Sequence, residues 1–485
     1  MSVRKNMASL LVSQVLTWLV TFVLLVEAPD RLGQEAWGAL SYATAFVGLL
    51  MLLVGLGTGT LLQREIARDP SLMSQYVYNA VLLKLILIVV VPVLGIVAAL
   101  LLGQRGDTLW LILIGLVSVA VGGLTDIAFN ALAGIELMAK PAFFLVLQVY
   151  ASNGLGMAAL LLGYGPLVYG SMFALASLIP CVLSWRMVRR RLHGPFRFDP
   201  RVWRLLVRGG VPLMALTIIN LIYGTIDIPI LGAITDNVQV GWYGLAYKWV
   251  GIPVFIVTAV TSAYFPRFAA HGNPLTDEFP RLVNKAVSIV LLAAIPASIG
   301  LILVAEDLIA LLYEPEYGPA IVLIQILSAQ IPLAAMDTVL ATALIASDRQ
   351  ARYLWVSIAA AVFNVPACIL LIRWADQRHD NGAIGAAIVT ILTELVVLTG
   401  AMILRSRGVL DRATIWRAGR VVVAGLLMVP VVLALDALPL AVRIIFGAAS
   451  YGVALVVLRV VGLGEVRALV SSFTSGRRAD KIKID

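Results

Sequence analysis

Apolar runs recur along the whole chain, and each is bounded by a short polar or charged segment. A membrane-spanning helix needs roughly 20 mostly apolar residues, because the hydrocarbon layer is about 30 Å thick and a helix rises about 1.5 Å per residue. The runs have this length, so they predict an all-α membrane protein with about 14 transmembrane helices. The predicted spans are 6–26, 36–61, 77–102, 108–132, 142–163, 166–188, 209–232, 240–266, 284–304, 318–344, 353–373, 381–404, 414–435 and 438–460.

Composition supports this interpretation and excludes a soluble globular protein. Of the 485 residues, 61% are hydrophobic and 13% are charged, whereas soluble chains are roughly half apolar and a quarter charged. The two cysteines, Cys181 and Cys368, both lie inside apolar runs, with no second thiol or histidine at metal-ligand spacing. We therefore expect no metal site, and we expect no cofactor.

The positions of the basic residues predict the orientation. With the N-terminus inside, 29 of the 36 Lys and Arg residues fall in inner segments and 5 in outer ones. Loops that face the cytoplasm accumulate Lys and Arg. The count therefore predicts that both termini are cytoplasmic, and an error in the number of helices would have inverted the bias further along the chain.

The net charge of +9 follows from this basic inner face. Such a face attracts anionic membrane lipids, so binding of nucleic acid is a poor explanation of the charge. The most basic inner segment is 189–208. Asp199 and Pro200 form a typical helix start, and apolar residues alternate with Arg201 and Arg204 behind it, which predicts a helix lying on the membrane surface.

A short motif occurs twice, at the start of the second and eighth spans. The segment from Trp37 to Tyr42 and the segment from Tyr243 to Lys248 each follow a polar outer turn, with six spans from one to the next. An even number of spans keeps both halves in the same orientation, so they would be related by a pseudo-twofold axis along the membrane normal. A chance match of aromatic residues and glycines is the alternative. The predicted domains are a six-helix bundle at 1–188, the basic linker at 189–208, a second six-helix bundle at 209–404, and two extra helices with a cytoplasmic tail at 405–485.

Several motifs in this order resemble the polysaccharide flippases, of the O-antigen type, in the multidrug/oligosaccharidyl-lipid/polysaccharide exporter superfamily. The resemblance covers roughly residues 6–404, and it is the order and spacing of the motifs that make it specific. The motifs are Arg31 to Gly38, Gly55-Leu56-Gly57, Arg64 to Arg68, Val240 to Lys248, Leu311 to Tyr317, and Gly382 to Ala387 with Glu394.

The resemblance implies a flippase of the cell inner membrane. Such a protein would export undecaprenyl-pyrophosphate-linked oligosaccharide by alternating access, beside glycan polymerase or assembly proteins. Lipid II flippases of the same superfamily also have 14 helices, so the resemblance leaves the lipid-linked substrate open.

Charged residues within the predicted spans are the candidate functional groups. Each costs about 2.5–3.5 kcal/mol or more in the hydrocarbon region, so its presence needs a reason. Lys and Arg bind phosphate through charge-assisted hydrogen bonds, which the pyrophosphate of such a substrate requires. The span residues are Lys84, Asp126, Asp227, Lys248, Asp337 and Glu394.

Lys248 and Asp227 lie at similar depth on neighbouring predicted helices. In one interpretation Lys248 contacts pyrophosphate or sugar, and Asp227 is a cation or proton site that follows the transport cycle. In the other the two residues form a static ion pair that locks the hairpin.

The remaining candidates also have two interpretations each. Lys84 either contacts substrate or, as we favour, snorkels to the inner interface. The carboxylates Asp126, Asp337 and Glu394 either bind a coupling ion or form structural hydrogen bonds, and we favour the structural role for the first two. Arg31 and Arg64, at opposite mouths of the first hairpin, either guide an anionic head group or are solvated loop charges.

Two other functions compete with a flippase. A drug or cation antiporter of the same superfamily would share the repeat, but basic candidate residues suit an anionic substrate better than a cationic drug. A membrane-bound polymerase or glycosyltransferase would resemble its relatives in having a long external loop, whereas every predicted outer loop is about 15 residues or shorter. We therefore expect that the protein is not an enzyme.

Overall fold

The computed structural model describes residues 3–270 and 278–461, without the side chains of 3–20, 216, 220, 222, 223, 256 and 266. Every regular element in these ranges is helical. In the described part of the chain, 13 helices are long and apolar enough to cross a membrane. The first of them, Thr21–Arg68, contains the second predicted span and the end of the first, and the start of the first span lies on the same continuous helix, Val3–Gly55. All the predicted spans therefore fall on helices. The predicted all-α, multi-pass membrane fold is confirmed.

Sixteen α-helices occur in the described ranges. They are α1 Val3–Gly55, α2 Thr58–Arg68, α3 Met73–Leu101, α4 Gly106–Gly134, α5 Ala139–Leu161, α6 Pro166–Arg189, α7 Pro200–Thr225, α8 Asp227–Ile234, α9 Asn237–Ala270, α10 Glu278–Leu312, α11 Ala320–Ser328, α12 Gln330–Ala346, α13 Gln350–His379, α14 Gly382–Leu404, α15 Arg412–Ala434 and α16 Leu440–Val457.

Three predicted spans are interrupted where the sequence analysis expected continuous helices. The second span breaks between α1 and α2, where Leu56 and Gly57 have φ angles of 48° and 61°. The seventh span breaks at Ile226 because Pro229 has no N–H to donate to the carbonyl four residues earlier, on Thr225. The tenth span breaks between α11 and α12.

The first helix has a kink whose free carbonyl groups are satisfied by two tyrosines. Pro29 has no N–H for the carbonyl of Leu25, and Gly33, with φ 78° and ψ 161°, is not helical and leaves the carbonyl of Pro29 free. The Tyr313 hydroxyl donates to the Leu25 oxygen at 3.1 Å, and the Tyr317 hydroxyl donates to the Pro29 oxygen at 2.8 Å. The turn after α10 therefore fixes the corner between the first two spans.

The predicted surface helix after Asp199 is instead the first part of α7. The helix starts as predicted, with the Arg201 N–H donating to the Asp199 carboxylate at 2.8 Å, but it continues without a break from Pro200 to Thr225. Val202 and Leu206 are 6% and 0% exposed, since their apolar face packs on protein. Their partners in this cluster include Leu56, Leu61, Leu62, Ile66 and Val188.

The chain forms two compact units. Unit 1 consists of Met1–Lys248, Leu312–Leu323 and Ser357–Thr390, and unit 2 of Trp249–Leu311, Ile324–Val356 and Ile391–Asp485. The predicted six-helix bundles, their boundary at 189–208 and their pseudo-twofold axis stay predictions. The end of the predicted cytoplasmic tail, from residue 462 onward, lies outside the described residues.

Within unit 2, the last two helices pack on α10. The Tyr451 hydroxyl donates to the Leu292 carbonyl at 2.9 Å. Arg443, which is 2% exposed, donates to Asp307 at 2.7 Å and pairs with Asp436 at 3.0 Å. A buried guanidinium needs such partners, so these contacts fix the α15–α16 hairpin against α10.

Candidate functional site

Lys248 is an exposed cation within a membrane-spanning helix of unit 1. It lies roughly 17 Å along α9 from the start of the helix at Asn237. Its Nζ atom lies 3.9 Å from the centroid of the Trp37 ring, and no carboxylate lies within ion-pair distance of it in the described part of the chain. An ammonium group at this depth is costly in hydrocarbon, so we expect the exposed side chain to face water.

Glycines bring α1 and α9 close together beside this pair. A Cβ on Gly38 would overlap the carbonyl oxygen of Asn237, and a Cβ on Gly241 would overlap the carbonyl oxygen of Gln34. One turn further, a Cβ on Gly244 would lie 2.7 Å from the Ser41 hydroxyl oxygen. Small residues permit such close approach of two backbones in a membrane. The two copies of the repeated motif thus pack directly against each other.

Asp227 belongs to a second polar group of unit 1, which joins three helices. Its carboxylate, 4% exposed, accepts hydrogen bonds from the Tyr243 hydroxyl, from the Thr390 hydroxyl at 3.4 Å and from the Ile228 N–H at 3.0 Å. The Tyr243 and Thr390 hydroxyls are themselves 3.0 Å apart. The helix break at Ile226 places Asp227 in the first turn of α8, where a negative charge is stabilised by the helix dipole.

The structure does not bring Asp227 and Lys248 together as an ion pair. Asp227 is bound by hydroxyl groups and a backbone amide, and Lys248 packs on the Trp37 ring. The static Lys248–Asp227 ion pair considered in the sequence analysis is therefore not among the contacts of the described residues. Two distinct groups remain, an exposed cation and a buried carboxylate.

Lys84 is buried rather than snorkelling, so this expectation is wrong. The side chain is fully buried, and its Nζ donates to the carbonyls of Val54 and Gly55 at 2.8 and 2.9 Å and to Asp126 at 3.2 Å. The break after Gly55 leaves these last carbonyls of the helix without intrahelical partners, and a cation is favourable there. Asp126 also accepts from Asn130 at 2.8 Å. These contacts favour a structural role for Lys84 over substrate binding.

This geometry predicts that removing the charge of Asp126 destabilises the protein more than removing the charge of Lys84. Asp126→Asn leaves an ammonium fully buried with only carbonyl partners, which we expect to destabilise the protein by about 3 kcal/mol. Lys84→Met leaves a carboxylate whose side chain is 33% exposed and still bound by Asn130, so the loss should be smaller. The unfolding temperatures of the purified variants in detergent show which of the two substitutions destabilises the protein more.

The double variant Lys84→Met with Asp126→Asn provides the control for this prediction. It removes both charges, so we expect it to be more stable than Asp126→Asn alone. Equal stability of the two single variants, or further loss in the double variant, would show that the charges are not coupled as described.

Two further candidate carboxyl groups belong to unit 2. Asp337 on α12, 7% exposed, accepts from the Tyr353 hydroxyl at 3.3 Å. Glu394 on α14 is half-buried. In the described residues, no group of three or more His, Cys, Asp or Glu side chains has the arrangement of a metal site.

The two arginines at the mouths of the first hairpin are exposed and paired locally. Arg31 contacts Glu27 at 2.7 Å, and Arg64 contacts Glu65 at 2.8 Å. Exposed pairs of this kind contribute little stability, so both guanidinium groups are free to exchange partners. This suits either a solvated charge or transient contact with an anionic head group.

Three site residues were not among the sequence candidates. The Trp37 ring packs against the Lys248 ammonium, and the hydroxyls of Tyr243 and Thr390 bind Asp227. Trp37 and Tyr243 lie in the repeated motif, which was interpreted as a sign of internal repetition and of family resemblance but not as part of a site. For Thr390 the sequence offers no signal beyond a hydroxyl in an apolar span.

Comparisons with known proteins identify related sequences. The model of a family described as polysaccharide biosynthesis protein matches residues 3–271. The teichuronic acid biosynthesis protein TuaB of Bacillus subtilis (strain 168) is 24% identical over 296 residues, which cover 58% of this chain and 57% of TuaB. The probable flippase AglR of Haloferax volcanii is 27% identical over 175 residues, 35% of each chain. This chain thus aligns with little more than half of the first relative and about a third of the second.

Solved structures share the fold over most of the chain. The lipid II flippase MurJ in an inward closed conformation has a TM-score of 0.76 at 14% identity, covering 95% of this chain and 99% of MurJ. An inward-facing multidrug resistance transporter of the MATE family in the MOP superfamily has a TM-score of 0.61 at 16% identity, covering 80% of this chain and 93% of that one. Both similarities concern the fold.

Proposed function

Because this chain belongs to the polysaccharide biosynthesis protein family, we propose that it is a flippase for undecaprenyl-pyrophosphate-linked oligosaccharide. The substrate would move from the cytoplasmic to the outer leaflet by alternating access between two six-helix bundles. The observation that carries the proposal is the exposed Lys248 cation within a membrane-spanning helix, with no carboxylate partner among the residues that the structure describes. A polyanionic head group needs such a cation to cross the membrane.

Other observations support the same proposal. One sequence relative is named for teichuronic acid biosynthesis. Two others are named as a probable flippase and as a probable flippase of low-salt glycan biosynthesis. The protein would lie in the cell inner membrane with both termini cytoplasmic, where the basic inner face meets anionic lipids. Arg31 and Arg64 would contact the head group as it arrives or leaves, and glycan polymerase or assembly proteins would act on the product.

Deletion of the gene, followed by complementation, tests this function. Loss of the protein should lower polysaccharide on the cell surface and raise the extractable pool of lipid-linked oligosaccharide in the same cells. A strain with an unchanged pool and unchanged surface glycan would contradict the flippase. Efflux of a cationic dye that depends on the protein would favour the antiporter of the same fold.

We also propose that Asp227 couples transport to a proton or another cation. In the described part of the chain, the Asp227 carboxylate is bound by hydroxyl and amide donors and by no basic side chain. Such a buried carboxylate gains much when it binds a cation or proton that balances its charge. Its position at the helix break lets occupancy change the local backbone. Asp337 and Glu394 are a second candidate for the same role in unit 2.

Asp227→Asn is predicted to make transport insensitive to the ion gradient. The amide keeps an acceptor for the Tyr243 hydroxyl but cannot ionise. In proteoliposomes, wild-type transport of lipid-linked oligosaccharide should accelerate under an imposed proton or sodium gradient, and the variant should show one slow rate in all conditions.

Thr390→Val is the matched control for Asp227→Asn. It removes a hydroxyl from the same group but keeps the carboxylate, so the response to the gradient should remain. If Asp227→Asn responds to the gradient as the wild type does, Asp227 is not the coupling group.

A further inference from the structure

We propose that Trp37 is a positioning residue for the substrate-binding cation. Its indole face holds the Lys248 ammonium in place for the phosphate groups of a lipid pyrophosphate. The inference rests on the proposed function and assigns a role to a residue that the sequence analysis did not count among the candidate site residues.

The first step is the geometry of the pair. An ammonium within about 6 Å of an aromatic centroid is attracted to the ring face, and here the distance is 3.9 Å. Trp37 is 2% exposed, whereas the Lys248 side chain is exposed. One partner is therefore fixed in the protein, and the other presents its remaining N–H groups outward.

The second step is the rigidity of the platform. Gly38, the neighbour of Trp37, lies against the α9 backbone at Asn237, and Gly241 lies against α1 at Gln34. Backbones in such close contact cannot rotate independently. The indole ring and the Cα of Lys248 thus belong to one packed pair of helices, which limits the positions that the ammonium can take.

The third step is electrostatic. A carboxylate partner would neutralise Lys248 and would compete with phosphate for it. Lys84 has such a partner, because its ammonium forms an ion pair with Asp126. An aromatic face attracts the cation through its quadrupole without a net charge. Lys248 is therefore held in place by a partner that does not compete with an anion for it.

The fourth step concerns the choice of tryptophan. The indole Nε1 of Trp37 is buried and has no hydrogen-bond partner in the described part of the chain. An unsatisfied buried donor is unfavourable, and Phe would pack at the same position without it. Indole is also the aromatic ring that binds cations best, and a site for holding Lys248 explains why it is present here.

A series of fluorinated tryptophans at position 37 tests the inference. Each fluorine withdraws electron density from the ring face with little change of shape. The probe is farnesyl pyrophosphate, titrated against full-length protein in detergent that carries tryptophan, monofluoro-, difluoro- or tetrafluorotryptophan at this position. We expect the Kd to rise with each step, reaching about fivefold for the last, in keeping with the energy of a cation–π contact. A merely structural role would not follow the fluorine count.

The controls separate this inference from the proposed function. The same series at Trp110, which is 59% exposed on α4, should leave the Kd unchanged. Suppose that Lys248→Ala weakens binding of the probe, but that the Kd of the Trp37 series stays constant or falls with fluorination. The positioning role of Trp37 is then overturned, while the proposed substrate site stands. If Lys248→Ala binds the probe as tightly as the wild type, the proposed substrate site fails, and the role of Trp37 fails with it.

Discussion

Lys248→Ala is expected to abolish export, with surface polysaccharide falling to the level of a strain that lacks the protein. The substitution removes the exposed cation of the site, and each hydrogen bond from a charged group contributes about 1.5–3 kcal/mol, or roughly tenfold or more in rate. Because the side chain is exposed and has no ion-pair partner among the described residues, its removal leaves no buried charge behind. The variant should therefore reach the membrane in normal amounts.

Three further substitutions test whether the charge of Lys248, and not its size, is needed for export. Lys248→Met keeps the length without the charge and should fail like Lys248→Ala, whereas Lys248→Arg should retain part of the activity. Lys140→Ala removes an exposed lysine at the start of α5 and should export normally. Measurement combines surface glycan, the pool of lipid-linked oligosaccharide and the amount of each variant in membranes. Normal export by Lys248→Ala would remove this residue from the site.

The hydrophobic pattern was sufficient to predict where the apolar helices lie along the chain, because lipid imposes one length on every span. It could not predict the breaks at Leu56, Ile226 and Ala329, because a run of apolar residues looks the same whether its backbone is continuous or not. Pro229 was a usable signal for one break. At Leu56, where φ is 48°, the carbonyl oxygen lies so close to Gly210 that a Cβ there would overlap it, and the sequence gives no sign of this contact.

The candidate site was predictable in its residue types but not in its contacts. Counting residues from the inner face placed Lys84 within reach of the interface, but the free carbonyls at the end of α1, together with Asp126, explain why it stays buried. The same counting placed Lys248 and Asp227 at one depth, but rotation about the helix axes gives them different partners. Side-chain direction depends on how two helices pack, which a single sequence does not specify.

The repeated motif carried more information than its resemblance suggested. Trp37 and Lys248 were noted as parts of similar segments, and the structure shows these segments in contact through Gly244 and Ser41, beside the close contacts of Gly38 and Gly241. A glycine next to an aromatic residue in each copy was thus a signal of close helix packing as well as of repetition. The site depends on this packing, because it fixes the position of the Trp37 ring.

Gly38→Ala and Gly241→Ala are therefore expected to destabilise the protein severely. Each added methyl group would overlap a backbone carbonyl oxygen of the facing helix, which cannot move away as a flexible side chain could. Overpacking of this kind costs about 1–3 kcal/mol or more, and separation of α1 from α9 would also take Trp37 away from Lys248. We expect less protein in the membrane, a lower unfolding temperature in detergent and loss of export.

The same two helices contain a matched control ten residues further along each of them. A Cβ on Gly48 of α1 or on Gly251 of α9 would meet nothing within 4 Å, and alanine is favoured over glycine within a helix by about 1 kcal/mol. Gly48→Ala and Gly251→Ala should therefore unfold at or above the wild-type temperature and export normally. If all four variants behave alike, the close contact between α1 and α9 does not hold the site together, and the position of Lys248 over Trp37 must have another cause.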